Sequence, residues 1–74
     1  MAKVVLRITL LSGSHIDVVY GEAGTSDAVD VGVHAVEMLS RDDAVLWAEH
    51  GDRRVAVFAR AVAAVEVDPR GAVL

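Results

Sequence analysis

RRVAVFARAVAAVEV, Arg53 to Val67, is the stretch whose reading decides the fold. A half-exposed strand alternates apolar and polar residues, and a surface helix shows a single apolar stripe. Val55-Ala56-Val57-Phe58-Ala59 does neither. A short run that is apolar throughout is expected of a strand covered on both faces, so the segment reads as a central strand over Arg53–Ala59. Arg60-Ala61-Val62 reads as a 3₁₀ or bulged corner. Ala63–Val67 then forms a further strand, with Val65 and Val67 on one face and Glu66 and Asp68 on the other. Asp68-Pro69-Arg70-Gly71 ends it, because proline has no N–H to donate to a ladder. Ala72-Val73-Leu74 is a short apolar tail. A strand–corner–strand ending is common to many small barrels and by itself carries no function.

Working outward, His50-Gly51-Asp52 is a hairpin turn before this strand, preceded by a strand over Ala44–Glu49 that carries Trp47. At the other end of the chain, Val4, Leu6, Ile8 and Leu10 alternate with Val5, Arg7, Thr9 and Leu11, which gives a first strand over Lys3–Leu11. Ser12-Gly13-Ser14 turns it into a second strand, His15–Tyr20, with Ile16, Val18 and Tyr20 on one face and His15, Asp17 and Val19 on the other. A helix is expected from an N-cap at Thr25 or Ser26 to about Ser40, with Asp27 in its first turn. The order ββ-α-ββ(β) predicts an α+β fold in one domain, residues 1–74: a small, mostly antiparallel sheet of four to five strands, curled toward a barrel, packed on one helix.

Composition sets the energetic problem. The chain has 74 residues, 54% of them hydrophobic, and no cysteine. A domain this small buries a limited share of its surface and usually depends on disulfides, a metal or a partner chain. Disulfides and thiolate zinc sites are excluded. The mean hydropathy of +0.45 is high for such a short chain, and a strand needing cover on both faces adds to the demand. The expectation is a homodimer or higher homo-oligomer. Val29, Val33, Val36, Trp47, Val57 and Phe58 are expected to form the association surface or the core directly beneath it.

Other function classes find less support. The net charge is −4 with a single lysine, Lys3, and Arg53-Arg54 is the only adjacent basic pair, so nucleic acid is not an expected partner. Charged residues interrupt every apolar run before membrane-spanning length, and Arg7 interrupts the only stretch resembling a signal peptide, so the expected address is the cytoplasm and no membrane partner is expected. The alanine-, valine- and arginine-rich usage suggests a GC-rich bacterial source. Gly21 and Gly24 before the helix lack the lysine of a phosphate loop. Asp30, His34 and Glu37 share one helical face with Arg41 at i, i+4 and i+7 spacing. They are the candidate divalent-metal ligands, against the simpler reading of a solvated face with i,i+4 pairs. No serine, threonine or lysine stands in a recognisable nucleophile context, and no cofactor is implied. The expected function is that of a non-enzymatic, self-associating assembly, accessory or regulatory component, possessing a protein partner. The competing reading is a small-molecule or divalent-metal-binding protein with its site between subunits, near His34 and Glu37.

Overall fold

The computed structural model describes all residues, Met1–Leu74. Strands β1 (Ala2–Leu10) and β2 (His15–Glu22) form a hairpin in unbroken register from Thr9↔His15 to Ala2↔Glu22. Gly13, at φ 93°, supplies the left-handed residue of its turn, which closes with Leu10 N–H to Ser14 C=O at 2.8 Å. Helix α1 (Ala28–Leu39) follows. Its N-cap is Asp27, not Thr25 or Ser26: the Asp27 carboxylate accepts the Val29 N–H at 2.9 Å. Thr25 is used one step earlier, its hydroxyl accepting the Asp27 N–H at 3.2 Å, and Ser26 makes no cap bond. The second hairpin, β3 (Val45–His50) and β4 (Arg53–Phe58), turns at Gly51, φ 62°. A 3₁₀ turn, Ala59–Ala61, leads into β5 (Val62–Val67).

The five strands form one antiparallel sheet in the order β4-β3-β2-β1-β5, packed on one side against α1. The α+β class and the element order expected from the sequence are present. Two expectations need correction. The sheet is open and not closed into a barrel: β4 and β5 remain its two edges. The Val55–Ala59 run lies on edge strand β4 up to Phe58, with Ala59 starting the 3₁₀ turn, and not on a central strand. Its continuous apolarity has a different cause. Val57 enters the core from the helix side, while Ala56 and Phe58 stand on the opposite sheet face, which the helix does not cover. The run has no polar face because the uncovered face is itself apolar there.

The core lies between sheet and helix. Leu6, Ile8, Val18, Leu46, Val31 and Ala35 are fully enclosed, with Val4, Tyr20, Ala48 and Val57 around them. The helix approaches β5 closely enough that only glycine fits at position 32: a Cβ there would lie 2.9 Å from Val67 Cγ1. This explains a helix-weakening glycine in the middle of α1.

Gly32→Ala is expected to lower stability in spite of better helix propensity. Overpacking against a stiff valine costs about 1–3 kcal/mol, and the propensity gain returns about 1 kcal/mol. Leu46→Ala sets the scale for a cavity in the same core, at about 2–5 kcal/mol. Urea denaturation of both variants checks the order; a Gly32→Ala protein more stable than wild type contradicts the close helix–β5 contact.

Candidate functional site

Strand alternation sends Trp47 and Glu49 of β3, and Arg54, Ala56 and Phe58 of β4, to the sheet face away from the helix. Trp47 is 56% exposed and Phe58 49%, so two of the three aromatic residues stand on this open face. The Arg54 guanidinium sits 4.9 Å from the Trp47 ring centroid, and that of Arg60 6.0 Å from the Phe58 ring, both within cation–π range. Beside Trp47 a shallow depression of about 210 Å³ is lined by Met1, Lys3, Val19, Gly21, Glu49 and Arg54. Lys3, Arg54 and Glu49 make no ion pair within the chain. The arrangement is an apolar, aromatic centre with a rim of unpaired charges of both signs, the composition typical of a protein–protein contact.

The valines expected at an interface lie elsewhere. Val29, Val33 and Val36 form an exposed stripe on the flank of α1, and Val29 borders a second depression together with Val67 of β5. Val57 is part of the core. The six residues selected from the sequence thus divide into an exposed sheet-face pair, an exposed helix stripe and one core residue. The structure does not gather them onto one surface.

The candidate metal trio does not assemble either: no three His, Asp or Glu side chains converge as a metal site requires. Asp30 and Glu37 stay on the exposed helix face, and His34 reaches across to β2, where its Nδ1 donates to Glu22 Oε1 at 2.7 Å. The other Glu22 oxygen accepts the Tyr20 hydroxyl at 2.8 Å. The hydrogen bond to Glu22 raises the His34 pKa, with the charges of Glu22, Glu37 and Asp30 adding to it. The bonds from His34 and Tyr20 lower that of Glu22. Burial, then the bond to Glu22, pushes Tyr20 up to about 12. The cluster therefore fastens the helix to the first hairpin.

A second polar cluster is absent from the candidates read from the sequence. Arg7 and Asp17 stand directly opposite one another on β1 and β2. Arg7 Nε and Nη2 donate to the two Asp17 oxygens at 2.8 and 3.1 Å. Asp17 is 4% exposed and is the only charged residue in the buried set. Its cover is the segment Asp68–Leu74, which folds back over the open sheet face as a strap. The Val73 N–H donates to Asp17 Oδ2 at 2.9 Å, Arg7 Nη2 donates to the Arg70 carbonyl at 3.4 Å, and Pro69 is buried. His50 Nδ1 donates to the Asp17 carbonyl at 2.7 Å, tying β3 to β2. The bonds from Arg7 and Val73 hold the Asp17 carboxyl down to about 2. His15, at the start of β2, and His50, at the end of β3, border the same depression, which His34 does not line. The signal available in the sequence was the Arg7/Asp17 register across the hairpin.

The His34–Glu22 bond has a defined pH window. His34 has its pKa raised, so its contribution is complete below the ordinary histidine value of about 6.5 and is lost as pH rises through the raised value. Glu22 has its pKa lowered, so its contribution is complete above about 4.3 and is lost as pH falls through the lowered value. The stability difference between wild type and His34→Gln is expected to be widest between these limits and to shrink on the alkaline side. Urea midpoints of both proteins across pH 4 to 9 check this; a difference that grows above pH 8 contradicts the assignment.

No family model, no curated protein and no solved structure matches this chain.

Proposed function

We propose that the chain is a non-enzymatic cytoplasmic module that pairs with a second copy of itself through the open sheet face and serves as an assembly or regulatory component. One observation carries the reading: Trp47 and Phe58 stand exposed on a sheet face that the chain's single helix does not cover. Large exposed aromatics flanked by arginines are the residue types that dominate binding energy at protein interfaces. A second copy is favoured because the rim carries both signs: Lys3 and Arg54 of one copy find a counter-charge in Glu49 of the other. β4 is an edge strand, so the demand for cover comes from the open sheet face and not from a central strand.

The valine stripe of α1, at the other sheet edge and in the helix layer, offers a separate apolar surface to a protein partner. The reading contains no catalytic step. Its polar clusters are given structural roles, Glu22 with His34 fastening the helix to the first hairpin and Asp17 with Arg7 holding the strap. No helix is long and apolar enough to cross a membrane.

Sedimentation velocity across micromolar concentrations is expected to show a reversible dimer. Trp47→Ser and Phe58→Ser are expected to weaken it at least about 30-fold each, the effect of losing about 2 kcal/mol at a hot spot. Val33→Glu, on the helix flank, is expected to leave the dimerisation constant unchanged. A wild-type chain that stays monomeric throughout this range overturns the reading.

A further inference from the structure

Edge strand β4 has a main-chain side that the chain leaves unpaired. Its register to β3 is continuous from His50↔Arg53 to Val45↔Phe58, and one pair further on the Ala59 N–H donates to Ala44 C=O at 3.0 Å. Along an antiparallel ladder, hydrogen-bonded and non-hydrogen-bonded pairs alternate. Arg53, Val55 and Val57 therefore bond to β3, and Arg54, Ala56 and Phe58 turn their N–H and C=O groups outward. No strand lies beyond β4 to meet them. Unpaired edges are templates for another strand unless a proline, a bulge or charge blunts them. β4 carries no proline and no bulge, and its two arginines stand together at its start.

The residues along this edge are complementary to themselves. Positions 52–60 read Asp-Arg-Arg-Val-Ala-Val-Phe-Ala-Arg. An antiparallel second copy centred on Ala56 sets Arg54 opposite Phe58 of the second copy, Val55 opposite its Val57, and Asp52 level with its Arg60. All three outward-facing residues then enter hydrogen-bonded pairs, giving about six main-chain bonds. The Arg54–Phe58 pair repeats across the seam the cation–π contacts that Arg54 and Arg60 make within the chain. Asp52 and Arg60 are exposed and make no ion pair of their own. The neighbouring registers are poorer. Sliding by two residues loses one of the three pairs, and sets either Arg54 level with Arg60 of the second copy or Asp52 level with its Phe58. Sliding by one residue faces the outward groups with residues already bonded to β3.

We infer that β4 is a second self-association surface: two copies pair β4 to β4, antiparallel about Ala56, into one continuous sheet. This contact goes beyond the sheet-face dimer and is compatible with it. Its two-fold axis stands normal to the sheet, so both helices lie on one side and both open faces on the other. Trp47 is the β3 partner of Ala56, so the exposed aromatic residues of both copies meet around the seam as one patch. The strap lies over β1 and β2, away from the seam. The sheet-face contact has its two-fold axis in the plane of the sheet. Two perpendicular two-fold axes close an assembly of four copies, with two joined sheets face to face and the helices outside.

Proline at position 56 separates the two contacts. The Ala56 N–H points away from β3, so Ala56→Pro removes no hydrogen bond of the isolated chain, and edge strands accommodate proline. Trp47 and Phe58 stay in place. Sedimentation velocity is carried to millimolar concentration for wild type, Ala56→Pro and Trp47→Ser. Wild type is expected to pass from dimer to tetramer, Ala56→Pro to stop at the dimer, and Trp47→Ser to keep a dimer through β4. A tetramer that survives Ala56→Pro overturns the edge pairing. A wild-type dimer that never grows and is untouched by Ala56→Pro also overturns it, and leaves the sheet-face dimer standing. A dimer lost in Ala56→Pro and kept in Trp47→Ser supports the edge pairing and overturns the sheet-face dimer. A monomer throughout overturns both. Should Ala56→Pro fail to fold, the Asp52–Arg60 pair replaces it as the probe. Arg60→Asp is expected to weaken the tetramer at least about fivefold, and Asp52→Arg added to it to restore the association. A double variant no tighter than Arg60→Asp alone overturns the pairing.

Discussion

A five-stranded sheet has two faces, and this chain makes one helix. The rest of the structure follows from that mismatch. The helix seals one face and creates the core around Leu6, Ile8 and Leu46. The strap covers part of the other face, over β1 and β2, where Arg7 and Asp17 turn a polar cross-strand pair into an enclosed one. Over β3 and β4 nothing remains to cover Trp47 and Phe58, and arginine stacking on the rings is the only shelter the chain supplies.

Much of this was legible in the residues. Alternation in the first two strands placed Ile16, Val18 and Tyr20 on one face, and the structure shows them facing the helix. Gly13 and Gly51 located both hairpin turns. In the Arg53–Val67 stretch the corner and the strand after it stand where the pattern puts them; only the central placement of Val55–Ala59 fails, because period-two reasoning equates an apolar face with a covered one. On β4 one face is buried and the other is apolar and open, and sequence alone does not separate these cases. The helix cap shifted because Thr25, Ser26 and Asp27 are all competent cap residues, and which one acts depends on how the preceding turn delivers the chain.

The polar residues were harder to place because their partners are distant in sequence. Asp30, His34 and Glu37 are neighbours on a helix face, and proximity along the chain made them look like a unit. His34 instead found Glu22 on β2, leaving its helix neighbours to act on it only through their charge. Asp17 looked like an ordinary outward-facing strand residue. Its enclosure depends on Val73, 56 positions later, and no local pattern announces such a contact.

The strand order also bears on how the molecule comes into being. β1 pairs on one side with β2, its neighbour in sequence, and on the other with β5, so that Leu6 stands opposite Val67. During synthesis the first hairpin is made with both flanks unfilled; the β2 flank is met by β3, but the β1 flank must wait for nearly the whole chain to follow. Closing so long a loop slows folding and prolongs the exposure of an unpaired strand to neighbouring nascent chains. Because β1 lies between the second strand made and the last, the sheet is complete only once nearly the whole chain is available, and the two strands of the late-made segment, β4 and β5, are left as its opposite edges.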